Sequence, residues 1–213
     1  MIDFSNFVNQ IKAGFKKDQL KTFESIKAFN YLQLASMGHN DTEGYQIFTP
    51  NFIVKDMCQA VGPDIFDSSK TILEPTSGDG AFTTYILQKR LEKITKNFEI
   101  ESLRALSTIY SIEMDKKLIE KQRNNIFTLA KLFVESNKIE VHPSYYEILK
   151  CIIVRNFIWA MFNNEHSGGF LLSVDVAYKM PEAENGNLKP LDMPVWEINE
   201  EEINVHEEGV DLW

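Results

Sequence analysis

Twelve residues, Thr71 to Phe82, constrain this chain more than any others: Thr-Ile-Leu-Glu-Pro-Thr-Ser-Gly-Asp-Gly-Ala-Phe. Thr71-Ile72-Leu73 reads as a short buried strand that breaks at Glu74-Pro75. Gly78 and Gly80 frame a tight turn, and a helix follows with Leu87, Leu91, Ile94 and Phe98 at helical spacing. A strand that passes through a glycine turn into a helix is how a parallel α/β sheet starts a crossover, and glycines there let the backbone approach a ligand closely. The segment has neither the lysine and following Ser or Thr of a P-loop nor the third glycine of a dinucleotide fingerprint. Taken alone it is either a nucleotide-type loop or a structural turn.

The flanking sequence favours the loop. Residues 108–112, Thr-Ile-Tyr-Ser-Ile, form a second strand ending in Glu113-Met114-Asp115. An acid at that point can accept hydrogen bonds from both hydroxyls of a ribose, because such sheets bind nucleosides at the carboxyl ends of their strands. Ile119, Gln122, Ile126, Leu129 and Phe133 mark the next helix. Lys138-Ile139-Glu140-Val141 suggests a third strand, Cys151-Ile152-Ile153-Val154 a fourth, and Phe170 to Val174, after Gly168-Gly169, a fifth. Upstream, Thr49 as N-cap and Pro50 as first helical residue open a helix with Ile53, Met57, Ala60 and Val61 along one face, and Gly62-Pro63 stops it. Residues 36–48, with Gly38, Asn40, Asp41 and Gly44, read as a loop. Residues 1–35 carry Phe4, Phe7, Val8, Ile11, Phe15, Phe23, Ile26 and Leu34 at helical spacing. Their lysines, Lys12, Lys16, Lys17, Lys21 and Lys27, are a solvated face or a surface for a phosphate backbone.

Across 213 residues, 44% hydrophobic and 25% charged residues match folded globular usage. No apolar run approaches the roughly 20 residues that span a bilayer, so no membrane partner is expected and the cytoplasm is the expected compartment. Two cysteines, Cys58 and Cys151, suit core thiols in a reduced setting, and His39, His142, His166 and His206 are too scattered for a zinc site. The formal charge of −9 is localised. Residues 182–213 hold ten acids and one base, whereas the rest is balanced at 21 of each. That tail is a solvated segment or a clamp for a basic protein partner.

Phe48-Thr49-Pro50, Ile53-Val54, Met57, the run Leu73 to Phe82 and Ile112-Glu113-Met114-Asp115 resemble, in this order, the opening motifs of S-adenosylmethionine-dependent DNA adenine amino-methyltransferases of restriction–modification systems. The likeness covers residues 46–116, about a third of the chain. It implies a Rossmann-like methyltransferase sheet over 46–180, preceded by a helical segment, 1–45, and followed by the acidic tail, 181–213. It implies S-adenosylmethionine as cofactor, with Thr49 and Pro50 near its methionine part, Glu74, Pro75, Gly78 and Gly80 shaping the pocket, and Glu113 on the ribose.

The family's catalytic motif, Asn or Asp followed by Pro-Pro and an aromatic at the end of the fourth strand, is absent as such. Asn156-Phe157-Ile158-Trp159 is nearest, matching at its ends and lacking the prolines. In that alignment the Asn156 amide and the Phe157 carbonyl would accept the adenine amino hydrogens, and Trp159 would stack on a flipped base. The alternative is that these residues belong to the core or to a partner's interface. The resemblance implies DNA as substrate and an incomplete sheet. DNA specificity would come from a separate polypeptide, and a non-catalytic binding or regulatory role through a partner is the rival reading.

Overall fold

The computed structural model describes residues 1–29, 49–161 and 172–173, the backbone alone for Met161, Leu172 and Ser173. The 36–48 loop, Leu34, Phe48, His39, His166, His206, the glycine pair at 168–169 and the acidic tail lie outside these residues.

The chain is α/β and Rossmann-like. In order, the described elements are α1 (Ser5–Ala13), α2 (Lys17–Ser25), α3 (Asn51–Val61), a 3-10 turn (Pro63–Phe66), β1 (Ile72–Glu74), α4 (Ala81–Leu91), α5 (Phe98–Ser107), β2 (Ile109–Glu113), α6 (Lys116–Ser136), α7 (Ser144–Asn156), β3 (Phe157–Met161) and β4 (Leu172–Ser173). The strands lie in the order β1-β2-β3-β4. β1 and β3 flank β2 in parallel, with Ile72 opposite Ile109 and Glu113 opposite Trp159, and β4 adds an antiparallel rung to β3.

Side-chain alternation divides the sheet into two faces. Ile109 and Phe157 join the main core, with Ile72 and Trp159 packed against it. Ile112, Ile158 and Ala160 form a second, small cluster on the other face. α1 and α2 pack on α7, so Phe4, Phe7, Val8, Ile11, Phe15 and Phe23 share the main core. Cys58 and Cys151 are buried free thiols within it.

Arg90 of α4 is the largest fully buried side chain. Its guanidinium donates to the carbonyls of Ile65, Lys70 and Ala105 and to the Thr108 hydroxyl, tying the 3-10 turn, the approach to β1 and the end of α5 to one helix. Burial lowers its pKa to about 10, still far above neutrality.

Four expectations are corrected. Lys138–Val141 is not a strand: Lys138 adopts φ +53°, and the segment is a connection between α6 and α7. Cys151–Val154 is not a strand either but the last turns of α7, since a short apolar run of β-branched residues does not distinguish a buried helix from a buried strand. The third parallel strand is instead Phe157–Met161. The helix after the glycine turn ends at Leu91 rather than running to Phe98, where a second helix starts behind a left-handed Asn97. Finally, α3 begins at Asn51, with Pro50 and not Thr49 in the N-cap position. It buries Val54 and Cys58, whereas Met57 and Val61 are 51% and 73% exposed.

Arg90→Met keeps most of the volume but strands four acceptors. A loss of about 2–4 kcal/mol, read as a lower urea midpoint with an unchanged m-value, is expected.

Candidate functional site

Ser77 to Gly80 turn at the carboxyl end of β1 because two residues take positive φ there, Gly78 at +57° and Gly80 at +88°. The two glycines do different work. A Cβ at Gly78 would meet nothing within 4 Å, so this glycine faces open space. A Cβ at Gly80 would lie 2.4 Å from Cγ of Gln122, so its lost side chain makes room for α6.

Glu113, at the end of β2, stands against the turn. One carboxylate oxygen accepts the Gly78 N–H at 2.6 Å and the other accepts the Asp115 N–H at 2.8 Å. Asp115 in turn caps α6 by accepting from the N–H groups of Lys117 and Leu118. The acid is 8% exposed, and a carboxylate oxygen that accepts one hydrogen bond has capacity for another.

Glu74 occupies the tip of β1 on the same side. The Thr83 N–H at the head of α4 donates to it, while its Oε2 is buried and has no hydrogen-bond partner among the described residues. Burial, with Glu113 and Asp79 adding repulsion, pushes its carboxyl up to about 8 against the lowering effect of Thr83. Asp79, 2% exposed, is paired with Lys121 at 2.8 Å. Glu113, Glu74 and the Lys121-paired Asp79 therefore meet at the turn, an acid-rich setting that suits a ligand with a cationic hydrogen-bond donor, which Glu74 can meet by giving up its proton.

Thus the structure brings Glu74, Pro75, Gly78, Gly80 and Glu113 together. Trp159 joins them at the strand ends, opposite Glu113 in register, with its indole N–H donating to the Met114 carbonyl at 2.8 Å and the Lys116 ammonium 4.9 Å from its ring centre. Thr49 and Pro50 head α3, which packs on α4, and no hydrogen bond links them to the turn among the described residues.

Asn156 and Phe157 are elsewhere. Asn156 closes α7 at the start of β3, 1% exposed, and its amide donates to the carbonyls of Ser107 and Ile109. Glu113 lies four residue steps along β2 from Ile109, about 13 Å at the rise of a strand. The Phe157 carbonyl is engaged by Nε and Nη2 of Arg123, at 2.9 and 2.7 Å. Asn156 is thus turned back into the protein at the entry to β3, away from Glu113, while Phe157 lies level with Glu74 through Ser111 and has its carbonyl held by Arg123.

Sequence reasoning missed the groups behind the turn. Gln122, Ser77, Thr83 and Ser111 form a buried polar network, and its one legible sign was a glutamine on the apolar stripe of α6. Beside β1 runs an open groove of about 770 Å³, lined chiefly by Met57, Val61, Ile65, Leu73, Phe82 and Ile86, with Glu74 and Pro75 among the residues that border it. No group of three or more potential ligand side chains is gathered for a metal among the described residues, and no helix there is long and apolar enough to cross a membrane. Comparison with protein-family models, curated proteins and solved structures finds no match.

The Glu74 carboxyl makes stability depend on pH. Its folded pKa of about 8 lies above the ordinary 4.5, so the folded chain keeps a proton that the unfolded chain loses. This contribution is complete below the unfolded value and is lost as pH rises through the folded one. Glu74→Gln stays neutral throughout, so its stability relative to the parent should climb by on the order of a few kcal/mol between pH 5 and pH 9, roughly the linkage expected for such a shift. Urea titrations at the two pH values test it; a constant difference would refute the assignment.

Proposed function

We propose that this chain binds S-adenosylmethionine at the carboxyl ends of β1 and β2 and acts in DNA adenine methylation, as a methyltransferase domain of the amino-methyltransferase type. The observation that carries the reading is the Glu113 carboxylate fastened to the N–H of Gly78, an acid and a glycine turn held 2.6 Å apart at the ligand edge of a parallel sheet.

The residues present suit the group. Glu113 keeps lone pairs for two ribose hydroxyls, the space in front of Gly78 is open, and Trp159 and the 65% exposed Met114 offer apolar surface for a base. The sulfonium and ammonium of the ligand together outweigh its carboxylate, which matches the excess of acid at the turn. Glu74, with its unpartnered Oε2, supplies a hydrogen-bonding group toward the ammonium end. When bound, the cofactor would supply the transferable methyl group.

A second reading rests on Asn156. With Asn156 1% exposed and its Nδ2 donating inward to Ser107 and Ile109, its amide does not face the cofactor cradle as an acceptor for an adenine amino group. A binding or regulatory protein that works through a partner follows from this. In either reading DNA selection comes from a separate polypeptide, and the open groove beside β1 is where added chain would extend the sheet.

Calorimetric titration of S-adenosylmethionine tests the site. Saturable binding is expected, weakened about tenfold or more by Glu113→Ala, the loss of a hydrogen-bonding charged group. Absence of binding by the parent protein at millimolar ligand would sink the proposal. Transfer of labelled methyl from the cofactor to adenine-containing DNA then separates the readings, with incorporation supporting the enzyme and binding without transfer the partner-directed role.

A further inference from the structure

Gln122 is an oddity by composition. It lies in the second turn of α6, on the stripe that carries Ile119 and Ile126, and its exposure is zero. A buried glutamine is costly unless its amide is satisfied from both ends. Here it is. The Ser77 and Ser111 hydroxyls lie 2.9 Å from its Oε1, and its Nε2 donates to the Thr83 hydroxyl at 2.7 Å. The Thr83 hydroxyl, having accepted, donates onward to the Gly80 carbonyl at 3.1 Å. The direction of this chain fixes which end of the amide faces which neighbour, because Thr83 gives its own hydrogen to Gly80 and so needs a donor behind it.

The four partners belong to different pieces of the site. Ser77 enters the glycine turn, Gly80 leaves it, Thr83 sits in the first turn of α4, and Ser111 is the β2 residue two before Glu113. One side chain thus grips both ends of the turn and the strand that carries the acid. It also fills the place of the Gly80 side chain, with Cγ, Nε2 and Cδ all under 3 Å from where a Cβ would stand. Pushing from behind, it leaves Gly78 as the glycine that faces the ligand side.

Resting on the ligand reading above, we propose that Gln122 is a positioning residue for nucleoside binding: it sets the height of the Ser77–Gly80 turn against Glu113 and so tunes affinity for S-adenosylmethionine without touching it. A purely space-filling role predicts that an apolar side chain of the same length serves as well. The positioning role predicts that it does not, and that a side chain able to accept and donate restores function.

The experiment compares the full chain with Gln122→Met and Gln122→Glu, each checked for native circular dichroism and a cooperative urea transition. The readouts are the Kd of S-adenosylmethionine and the hydrogen-exchange rates of the amides at 78 and 80. Gln122→Met should fold yet bind about tenfold more weakly, as expected for a hydrogen bond lost from a network, with faster exchange at both glycines. Gln122→Glu, uncharged when buried at pH 6, should recover most of the affinity there and lose it toward pH 9, relative to the parent at each pH. Binding by Gln122→Met within twofold of the parent, with unchanged glycine exchange, would overturn the proposal. Should Gln122→Met fail to fold, Gln122→Glu carries the test by itself, and affinity equal to the parent at both pH values overturns it. Should the parent bind no cofactor, the ligand reading fails; exchange at the two glycines then decides the positioning of the turn, faster rates in Gln122→Met upholding it and unchanged rates refuting it.

Discussion

One carboxylate joins the two strands that matter. Glu113 spans from the Gly78 N–H to the Asp115 N–H, so the same side chain closes the β1 turn and shapes the start of α6. Bonds from backbone amides to a carboxylate are about twice as strong as neutral ones, and Glu113 itself is buried. The consequence is a strand-end edge whose turn is held in place by the chain's own groups. Gln122 completes the frame from the opposite side, so the turn is held between an acid in front and an amide behind.

Electrostatics at this edge is arranged by burial more than by pairing. Asp79 is paired with Lys121. Glu113 accepts from two backbone amides. Glu74, with one donor from α4 and one bare oxygen, is held protonated through the neutral range. A cationic group entering the site would meet, at Glu74, a carboxyl whose proton it can displace.

How much of this was legible depended on whether the signal was local. β1, the glycine turn, the start of α4 and β2 were readable because each is announced by adjacent residues with one sensible backbone outcome, whereas the end of α4 at Leu91 was not. The two misread strands failed for a definite reason. Cys151–Val154 has the β-branched composition of a strand, and only packing against α1, α2 and α6 makes it a helix. That error carried Asn156 with it: an asparagine after a strand points to the ligand edge, whereas one at the end of a helix leading into a strand points to the other end of the sheet. The Gln122 network was invisible for the opposite reason, since its members, 77, 83, 111 and 122, are brought together by tertiary structure alone. The roles of Gly78 and Gly80 were likewise not separable by sequence, because φ is positive at both and only the neighbour across the gap distinguishes them.

The order of the strands bears on what the site can do. In open α/β sheets the ligand crevice forms where the strand order reverses, because loops on either side splay apart there. The described strands run β1-β2-β3 without a reversal, and β1, which carries the glycine turn, has a neighbour on one side only among them. Its other side borders the apolar groove, where Leu73 is 44% exposed and Met57 and Val61 stand open on α3. A strand laid against that side of β1 would create the reversal at the glycine turn and bury this surface in one step. The crevice would then have two walls, one from β2 with Glu113 and one from the added strand. On the cofactor reading proposed above, groups that act on a substrate would belong on the second wall, across from Glu113. Asn156 does not reach that edge, because it closes α7 and its Nδ2 is turned back to the Ser107 and Ile109 carbonyls.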